Sequence, residues 1–281
     1  MEQKRFAIIG FPLKHSFSPF IHNRAFHDLK LNARYEKIEI TPQNFEKDIL
    51  SLKKSSLAGF NVTIPFKEKI LPFVDSLSAE AQKIGAVNTI KAVEGRWHGF
   101  NTDWLGFLKP IEREAEHIKS CLLLGAGGAA RGVLFALLQF PAIQTILIAN
   151  RTKQRANDLK KSFGFNRSTQ ISTISLKELE ALAKPFDLIV NTTSVGMTDH
   201  QADSLINPEH FAHSNTIVYD LVYNPLKTVL LQQAETLRLK TINGLPMLIY
   251  QAEAAFKIWT GLSYPSQTIQ FLLDELPRKI S

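Results

Sequence analysis

The polar residues of this chain that could act on a small molecule sit where apolar runs end. Lys14-His15-Ser16-Phe17-Ser18-Pro19 follows the apolar run at 6–9 and sets two hydroxyls, Ser16 and Ser18, beside an expected helix start. Such hydroxyls at a helix N-terminus make a corner able to bind a carboxylate. In Asn61-Val62-Thr63-Ile64-Pro65-Phe66-Lys67 polar and apolar residues alternate, so Asn61 and Thr63 share one side of a strand end, with Lys67 following. Asn88, in Ala86-Val87-Asn88-Thr89, and Asp103, in Asn101-Thr102-Asp103, repeat the pattern of a short polar residue at the exit of an apolar strand. Taken singly, each has an ordinary use, Ser18 as a helix cap and the others as turn formers.

A second constellation suits a phosphate. Gly125-Ala126-Gly127-Gly128-Ala129-Ala130 directly follows Leu122-Leu123-Leu124 and precedes a helical pattern. By itself such a match is weak, and a Gly/Ala-rich helix start can serve close packing alone. Between a strand and a helix, however, Gly125 makes the tight turn, Gly127 admits a pyrophosphate, and the helix N-terminus binds it. The end of the next strand selects the dinucleotide. An NAD site has Asp or Glu there for the ribose 2′-hydroxyl. This chain has Asn150-Arg151-Thr152, then Lys153 and Arg155. A guanidinium grips the 2′-phosphate that a carboxylate would repel. Such charges also decorate solvated helices, but their place relative to the Gly-rich turn points to NADP.

The elements that must position these residues alternate between strand and helix along 281 residues, enough for about two domains at the usual ~100–200 residues each. In the first half, strands are expected at 6–9, 35–40 and 59–64. One helix starts at Pro19 with Ser18 as N-cap, and another opens at Thr41-Pro42 with Phe45, Ile49 and Leu52 on one face. Pro65 opens a short helix carrying Lys67, and 87–93 and 97–100 form a hairpin turning at Glu94-Gly95-Arg96. In the second half, strands at 121–124, 146–149, 188–191 and 217–220 alternate with helices from Gly128, from Thr152 and after Pro225, a doubly wound pattern. A single helix over 101–119 joins the halves, and two helices, from Leu245 and from Pro265, close the chain.

Composition excludes several classes. With 44% hydrophobic and 21% charged residues the chain is globular rather than disordered. Cys121 is the single cysteine, so no internal disulfide forms and a reducing, cytoplasmic setting is expected. No uncharged apolar stretch reaches the ~20 residues of a membrane span; residues 121–138 are interrupted by glycines and Arg131. The net charge of +7 is scattered, without finger or basic-helix patterns, which suits anionic small molecules better than nucleic acid. The eight histidines form no metal-ligand spacing, and no metal is expected.

Together these motifs resemble one family. HSFSPFIHN at 15–23, NVTIPFK at 61–67, AVNT at 86–89, NTD at 101–103, GAGGAAR at 125–131, NRT at 150–152, DLVYNPLKT at 220–228 and Met247-Leu248 with Gln251 follow the order seen in shikimate dehydrogenases. The resemblance implies a two-domain α/β fold. An N-terminal α/β substrate-binding catalytic domain would comprise 1–102 and 245–281, the latter a helical return, and a Rossmann-type NADP-binding domain would comprise 103–244. It implies reduction of 3-dehydroshikimate to shikimate with NADPH in aromatic amino-acid biosynthesis, by a monomer or homodimer. Lys67 and Asp103 match the family's catalytic pair. Ser16, Ser18, Thr63 and Tyr223 match the groups around the substrate carboxylate, and Asn88 and Gln251 the hydroxyl-binding side chains. Asn61 shares a motif with them, without an assigned role. Gly125, Ala126, Gly127, Gly128 and Ala129 match the dinucleotide turn, and Asn150, Arg151, Thr152 and Arg155 the 2′-phosphate grip. Leu221 and Gly244 match further cofactor contacts. One departure is Gly244-Leu245-Pro246-Met247-Leu248, where the family commonly has glycine in place of Pro246; proline is tolerated in a first helical turn. Quinate in place of shikimate, or a ligand sensor on the same scaffold, are the competing readings; Lys67 and Asp103 weigh against the sensor, which needs no proton donor.

Overall fold

The computed structural model describes residues 2–164, 168–197 and 204–280. It divides into two compact units, Met1–Gly106 with Ile249–Asp274, and Phe107–Leu248 with Glu275–Ser281. The divisions fall inside helices α4 (Asp103–Leu108), α9 (Gly244–Thr260) and α10 (Ser266–Ile280), where no turn residue could mark them.

The first unit is built on β1 (Lys4–Gly10), β2 (Ala33–Glu39), β3 (Leu57–Val62), β4 (Ser76–Leu77), β5 (Thr89–Val93) and β6 (Arg96–Phe100). They form one sheet in the order β2-β1-β3-β5-β6-β4, with β1 parallel to β2 and β3, and β5 antiparallel to β3 and β6. Helices α1 (Ser18–Asp28), α2 (Phe45–Leu52) and α3 (Ala79–Ile84) complete it before α4. Phe45, Ile49, Phe60, Phe66, Ile70, Ile90 and Trp97 share one buried core, which is why α2 turns the expected apolar face inward. The hairpin turns through Glu94 (φ 51) and Gly95 (φ 76), a two-residue loop whose left-handed backbone matches strand twist, so Arg96 already belongs to β6. Gly59 is dictated by packing: a Cβ there would lie 2.5 Å from the Trp259 indole nitrogen, which donates to the Ile90 carbonyl.

Three local expectations are corrected. Ser18 is not an N-cap: α1 already includes it, Phe17 occupies the cap, and the Ser18 amide and hydroxyl are engaged with Ser16 Oγ at 3.4 and 3.3 Å. Pro65 does not open a helix carrying Lys67; the next helical turn is a 3-10 turn at Leu71–Phe73. The Lys67 carbonyl accepts from the Val87 amide (2.8 Å) instead of a helical partner, so Lys67 stands in a run of turns. Nor is 101–119 a single helix. It ends as α4 at Leu108, passes through a 3-10 turn at Lys109–Ile111, and is broken where Pro110 lacks the amide a longer helix needs. In addition, α2 begins only at Phe45, residues 41–44 forming a turn closed by Asn44 N–H to Thr41 O.

The second unit holds β7 (Ser120–Leu124), β8 (Thr145–Asn150), β9 (Gln170–Ser175), β10 (Phe186–Asn191), β11 (Ala212–Asp220) and β12 (Lys240–Ile242). All run parallel in the order β12-β11-β10-β7-β8-β9. The helices between them are α5 (Gly128–Leu137), α6 (Lys153–Ser162), α7 (Leu176–Leu179) and α8 (Val229–Thr236). The chain leaves β7 toward β8 and β9, then returns to β10 on the other side. The crevice between β7 and β10 is therefore the topological switch point at which such sheets bind dinucleotides. Leu122, Leu123 and Leu124 are buried, as a strand covered on both faces must be. The edge strands β9 and β12 are not legible in the sequence: Gln170-Ile171-Ser172-Thr173 and Lys240-Thr241-Ile242 are too short or too polar to stand out.

Candidate active site

The first unit gathers its polar residues at one end of the sheet for a topological reason. Parallel β1 and β3 finish at the same edge, where antiparallel β5 begins and β6 ends; Asn61 is paired with Thr89, and Thr89 with Phe100. Ser16 and Ser18 follow β1, Thr63 and Lys67 follow β3, Asn88 precedes β5 and Asp103 follows β6.

At the centre, Lys67 Nζ donates to Asp103 Oδ2 at 2.6 Å. The side chains are 15% and 5% exposed, so the lysine is partly open to solvent while the carboxylate is enclosed. Asn88 Nδ2 donates to the other Asp103 oxygen at 2.8 Å, to Thr102 Oγ1 at 2.9 Å and toward Gln251 Oε1 at 3.4 Å. Asn88 Oδ1 accepts from the Thr102 amide (2.8 Å) and the Thr89 hydroxyl (2.9 Å). Asn61 lies beneath, donating to the Asn88 carbonyl and Thr89 Oγ1 and accepting from the Tyr35 hydroxyl at 2.6 Å. Behind Tyr35, His22 stacks at 4.4 Å and faces the Tyr264 hydroxyl through Nδ1 (2.9 Å). Burial pulls His22 down to about 3 and keeps it neutral. An ion pair whose lysine side chain is partly exposed, held by a hydrogen-bonded polar layer, can hold and release a proton while keeping its geometry.

Thus Lys67, Asp103, Asn88 and Gln251 meet in one hydrogen-bonded group, and Ser16 pairs with Ser18. Thr63 sits at the end of β3, its amide on the Ile9 carbonyl. Tyr223 belongs to the second unit, where burial pushes its phenol up. Tyr35, Thr89 and Thr102 are participants that the sequence did not single out. Thr89 and Thr102 stand directly beside Asn88 and Asp103, a signal that was available; Tyr35 offers none.

In the second unit, Gly125 has φ 108 and a Cβ would fall 2.5 Å from Thr192 Oγ1, so only glycine makes this turn out of β7. A Cβ at Gly127 would meet nothing of the chain within 4 Å. Open space above the α5 N-terminus, beside Gly128 and Ala129, fits a pyrophosphate that needs close backbone approach. At the end of β8, Asn150 Nδ2 bonds the Thr152 carbonyl (2.9 Å) and Lys153 is paired with Glu178 (2.8 Å). Arg151 and Arg155 are exposed, and neither guanidinium has a partner among the described residues, so both could bind an anion such as a phosphate. A Cβ at Gly244 would lie 2.0 Å from the Leu221 carbonyl oxygen, and the Gly244 amide donates to the Val222 carbonyl at 3.0 Å. Asp220, fully buried, accepts from Thr228, Val222 N–H and Asn191, and burial pushes it up to about 6. Among the described residues no His, Cys, Asp and Glu group could hold a metal ion, and no helix is long and apolar enough to cross a membrane.

Comparison with known proteins identifies the family. Residues 8–90 match the family model of the shikimate dehydrogenase substrate binding domain. Residues 111–221 match that of shikimate / quinate 5-dehydrogenase, and residues 244–269 that of the shikimate 5′-dehydrogenase C-terminal domain. Shikimate dehydrogenase (NADP(+)) of Alkaliphilus oremlandii is 41% identical over 96% of this chain and 96% of its own length. The enzyme of that name from Methanocaldococcus jannaschii is 41% identical over 92% of each. The crystal structure of shikimate 5-dehydrogenase from Thermus thermophilus, in complex with NADP(H) and shikimate, is similar with a TM-score of 0.84. It is 36% identical, with 99% of this chain and 100% of that chain covered. The chain belongs to the shikimate dehydrogenase family.

Proposed function

We propose that this protein catalyses the NADP-dependent, reversible reduction of 3-dehydroshikimate to shikimate, with the first unit binding the substrate and the second the dinucleotide. The observation that carries the reading is the Lys67–Asp103 pair at 2.6 Å, braced by Asn88 on the second carboxylate oxygen. NADPH, when bound, supplies the hydride that adds to the ketone carbon.

The rest of the chemistry falls to side chains. As the ketone oxygen gains negative charge, the Lys67 ammonium stabilises it and delivers a proton; in the oxidative direction the neutral amine takes the proton back. Asp103 holds Lys67 through Oδ2 and retains lone pairs to accept a substrate hydroxyl. Asn88 and Gln251 bind ring hydroxyls. Ser16, Ser18 and Thr63, with Tyr223, offer neutral donors to the substrate carboxylate. In the second unit Gly125, Ala126, Gly127, Gly128 and Ala129 bind the pyrophosphate, and Leu221 and Gly244 line the cofactor. Asn150, Arg151, Thr152 and Arg155 grip the 2′-phosphate, and the exposed Arg151 and Arg155 guanidinium groups, without a partner among the described residues, support NADP over NAD. The protein works as a monomer or homodimer in the cytoplasm, a setting that its single, buried Cys121 suits. The test is a spectrophotometric assay of shikimate and quinate with NADP and with NAD. Shikimate with NADP is expected to give the highest kcat/KM; preference for quinate or for NAD would overturn the substrate or the cofactor assignment.

A further inference from the structure

Thr89 is fully buried, yet three polar side chains converge on its hydroxyl. Its hydroxyl accepts from Asn61 Nδ2 at 3.0 Å and donates to Asn88 Oδ1 at 2.9 Å, with Thr102 Oγ1 at 3.4 Å. We propose that Thr89 is a positioning residue for the reaction: together with the Thr102 amide, its hydroxyl holds the Nδ2 end of Asn88 toward Asp103, and so tightens how Asp103 presents Lys67.

An asparagine amide has two ends of opposite hydrogen-bonding character. With Nδ2 toward Asp103 it donates to the carboxylate; turned over, it would set a carbonyl oxygen against that negative charge. The orientation is decided by what donates to Asn88 from behind. Thr89 has a single hydroxyl proton, and the NH2 group of Asn61 already occupies one side of its oxygen, so that proton is directed onto Asn88 Oδ1. Asn61 is oriented in turn by the Tyr35 hydroxyl, which donates to Asn61 Oδ1 at 2.6 Å. Donors therefore run in one direction, from Tyr35 through Asn61, Thr89 and Asn88 to Asp103, where they meet the donor Lys67 arriving from the opposite side. The Thr102 amide also donates to Asn88 Oδ1, at 2.8 Å, so removing the Thr89 hydroxyl loosens the arrangement and does not reverse it.

This inference rests on the reading of Lys67 and Asp103 as the reacting pair. Thr89→Val keeps the branched shape and removes the hydroxyl; Thr89→Ser keeps the hydroxyl and removes a buried methyl. We expect Thr89→Val to lower kcat about tenfold, the loss of roughly one hydrogen bond's worth of positioning. Its calorimetric Kd for NADP should stay at the wild-type value. Thr89→Ser should melt below wild type and retain most of the turnover, so that kcat follows the hydroxyl and not Tm. Tyr35→Phe, which keeps the ring stacked on His22 and removes the first donor, is the second probe and should lower kcat severalfold. Wild-type kcat in both Thr89→Val and Tyr35→Phe would overturn the proposal, as would kcat that tracks Tm across the three variants. If Lys67→Ala retained turnover, the underlying reading would be wrong; if Lys67→Ala were inactive while Thr89→Val and Tyr35→Phe were not, only the positioning role would fall.

Discussion

Replacing Asp103 by Asn keeps the side chain's volume and removes its charge, and the hydrogen bonds around it decide the outcome. The carboxylate accepts a hydrogen bond at each oxygen, from Lys67 Nζ at 2.6 Å and from Asn88 Nδ2 at 2.8 Å. An amide can accept at only one of these positions and must turn its own NH2 group to the other. With its oxygen toward Lys67, two amide NH2 groups face each other; with its oxygen toward Asn88, an NH2 faces the ammonium. Asp103 is 4% exposed and Asn88 2%, so water cannot relieve the clash. An unsatisfied buried donor costs about 1–3 kcal/mol. Because Lys67 reaches solvent, its loss of partner adds less than the ~3–5 kcal/mol typical of a fully buried broken pair. Destabilisation of roughly 2–3 kcal/mol is expected from the two together. Turnover should fall further, by ~10²–10⁴, since the ammonium is no longer held where the alkoxide forms. The Lys67→Ala, Asp103→Asn double variant should be little worse than the worse single one, because the two groups act as a unit. Initial rates of NADPH formation from shikimate and urea denaturation of the same preparations read both effects. An Asp103→Asn enzyme with near wild-type kcat and unchanged stability would refute the reasoning.

Arg151→Ala should raise the KM for NADP by ~10–100-fold, the loss of a charge-assisted contact, and leave that for NAD nearly unchanged; an equal rise for both would remove Arg151 from the 2′-phosphate site. Ser16→Ala and Thr63→Ala should raise the KM for shikimate while the calorimetric Kd for NADP holds, since both residues belong to the first unit; the reverse pattern would invert the roles of the units. His22 titrates near 3 in the folded protein because burial disfavours its charged form, against 6.5 as its ordinary value. Between those values the unfolded chain binds the extra proton, so stability rises with pH across the window and is lost as pH falls below ~6.5. From pH 7 to pH 5 this single group should cost the wild type about 2 kcal/mol that His22→Phe does not lose. Parallel pH dependences of urea stability in the two proteins would show that His22 is not the buried neutral base.

Much of this molecule was legible because local chemistry and tertiary need coincide. Gly125 in its left-handed turn, the leucine run of β7 and the alternation after Asn61 each announce a local geometry that the sheet then uses. Lys67 was readable as a polar residue near a strand end, but its setting was not. Pro65 signals a helix start, whereas the Lys67 carbonyl is claimed by the Val87 amide, a partner far along the chain that no local rule anticipates. At Ser18 the competing partner is local: the hydroxyl of Ser16 engages it, and α1 already includes it, so it does not cap the helix. The donor chain behind Asp103 was illegible for the same reason as the setting of Lys67. It joins Tyr35 on β2, Asn61 on β3 and Thr89 on β5, and exists only once these strands and the intervening β1 have set their register. Edge strands β9 and β12 lack the buried alternation that reveals central ones.

The central claim is that Lys67 moves the proton of the reaction, and the most direct test is the steady-state rate of Lys67→Ala with shikimate and NADP. The account predicts kcat lower by ~10²–10⁴, while the Kd for shikimate weakens only by one hydrogen bond, of order 1 kcal/mol, and NADP binding is intact. A folded Lys67→Ala protein that binds NADP and oxidises shikimate at near the wild-type rate would contradict it, and would return Lys67 to the status of a partly exposed surface lysine.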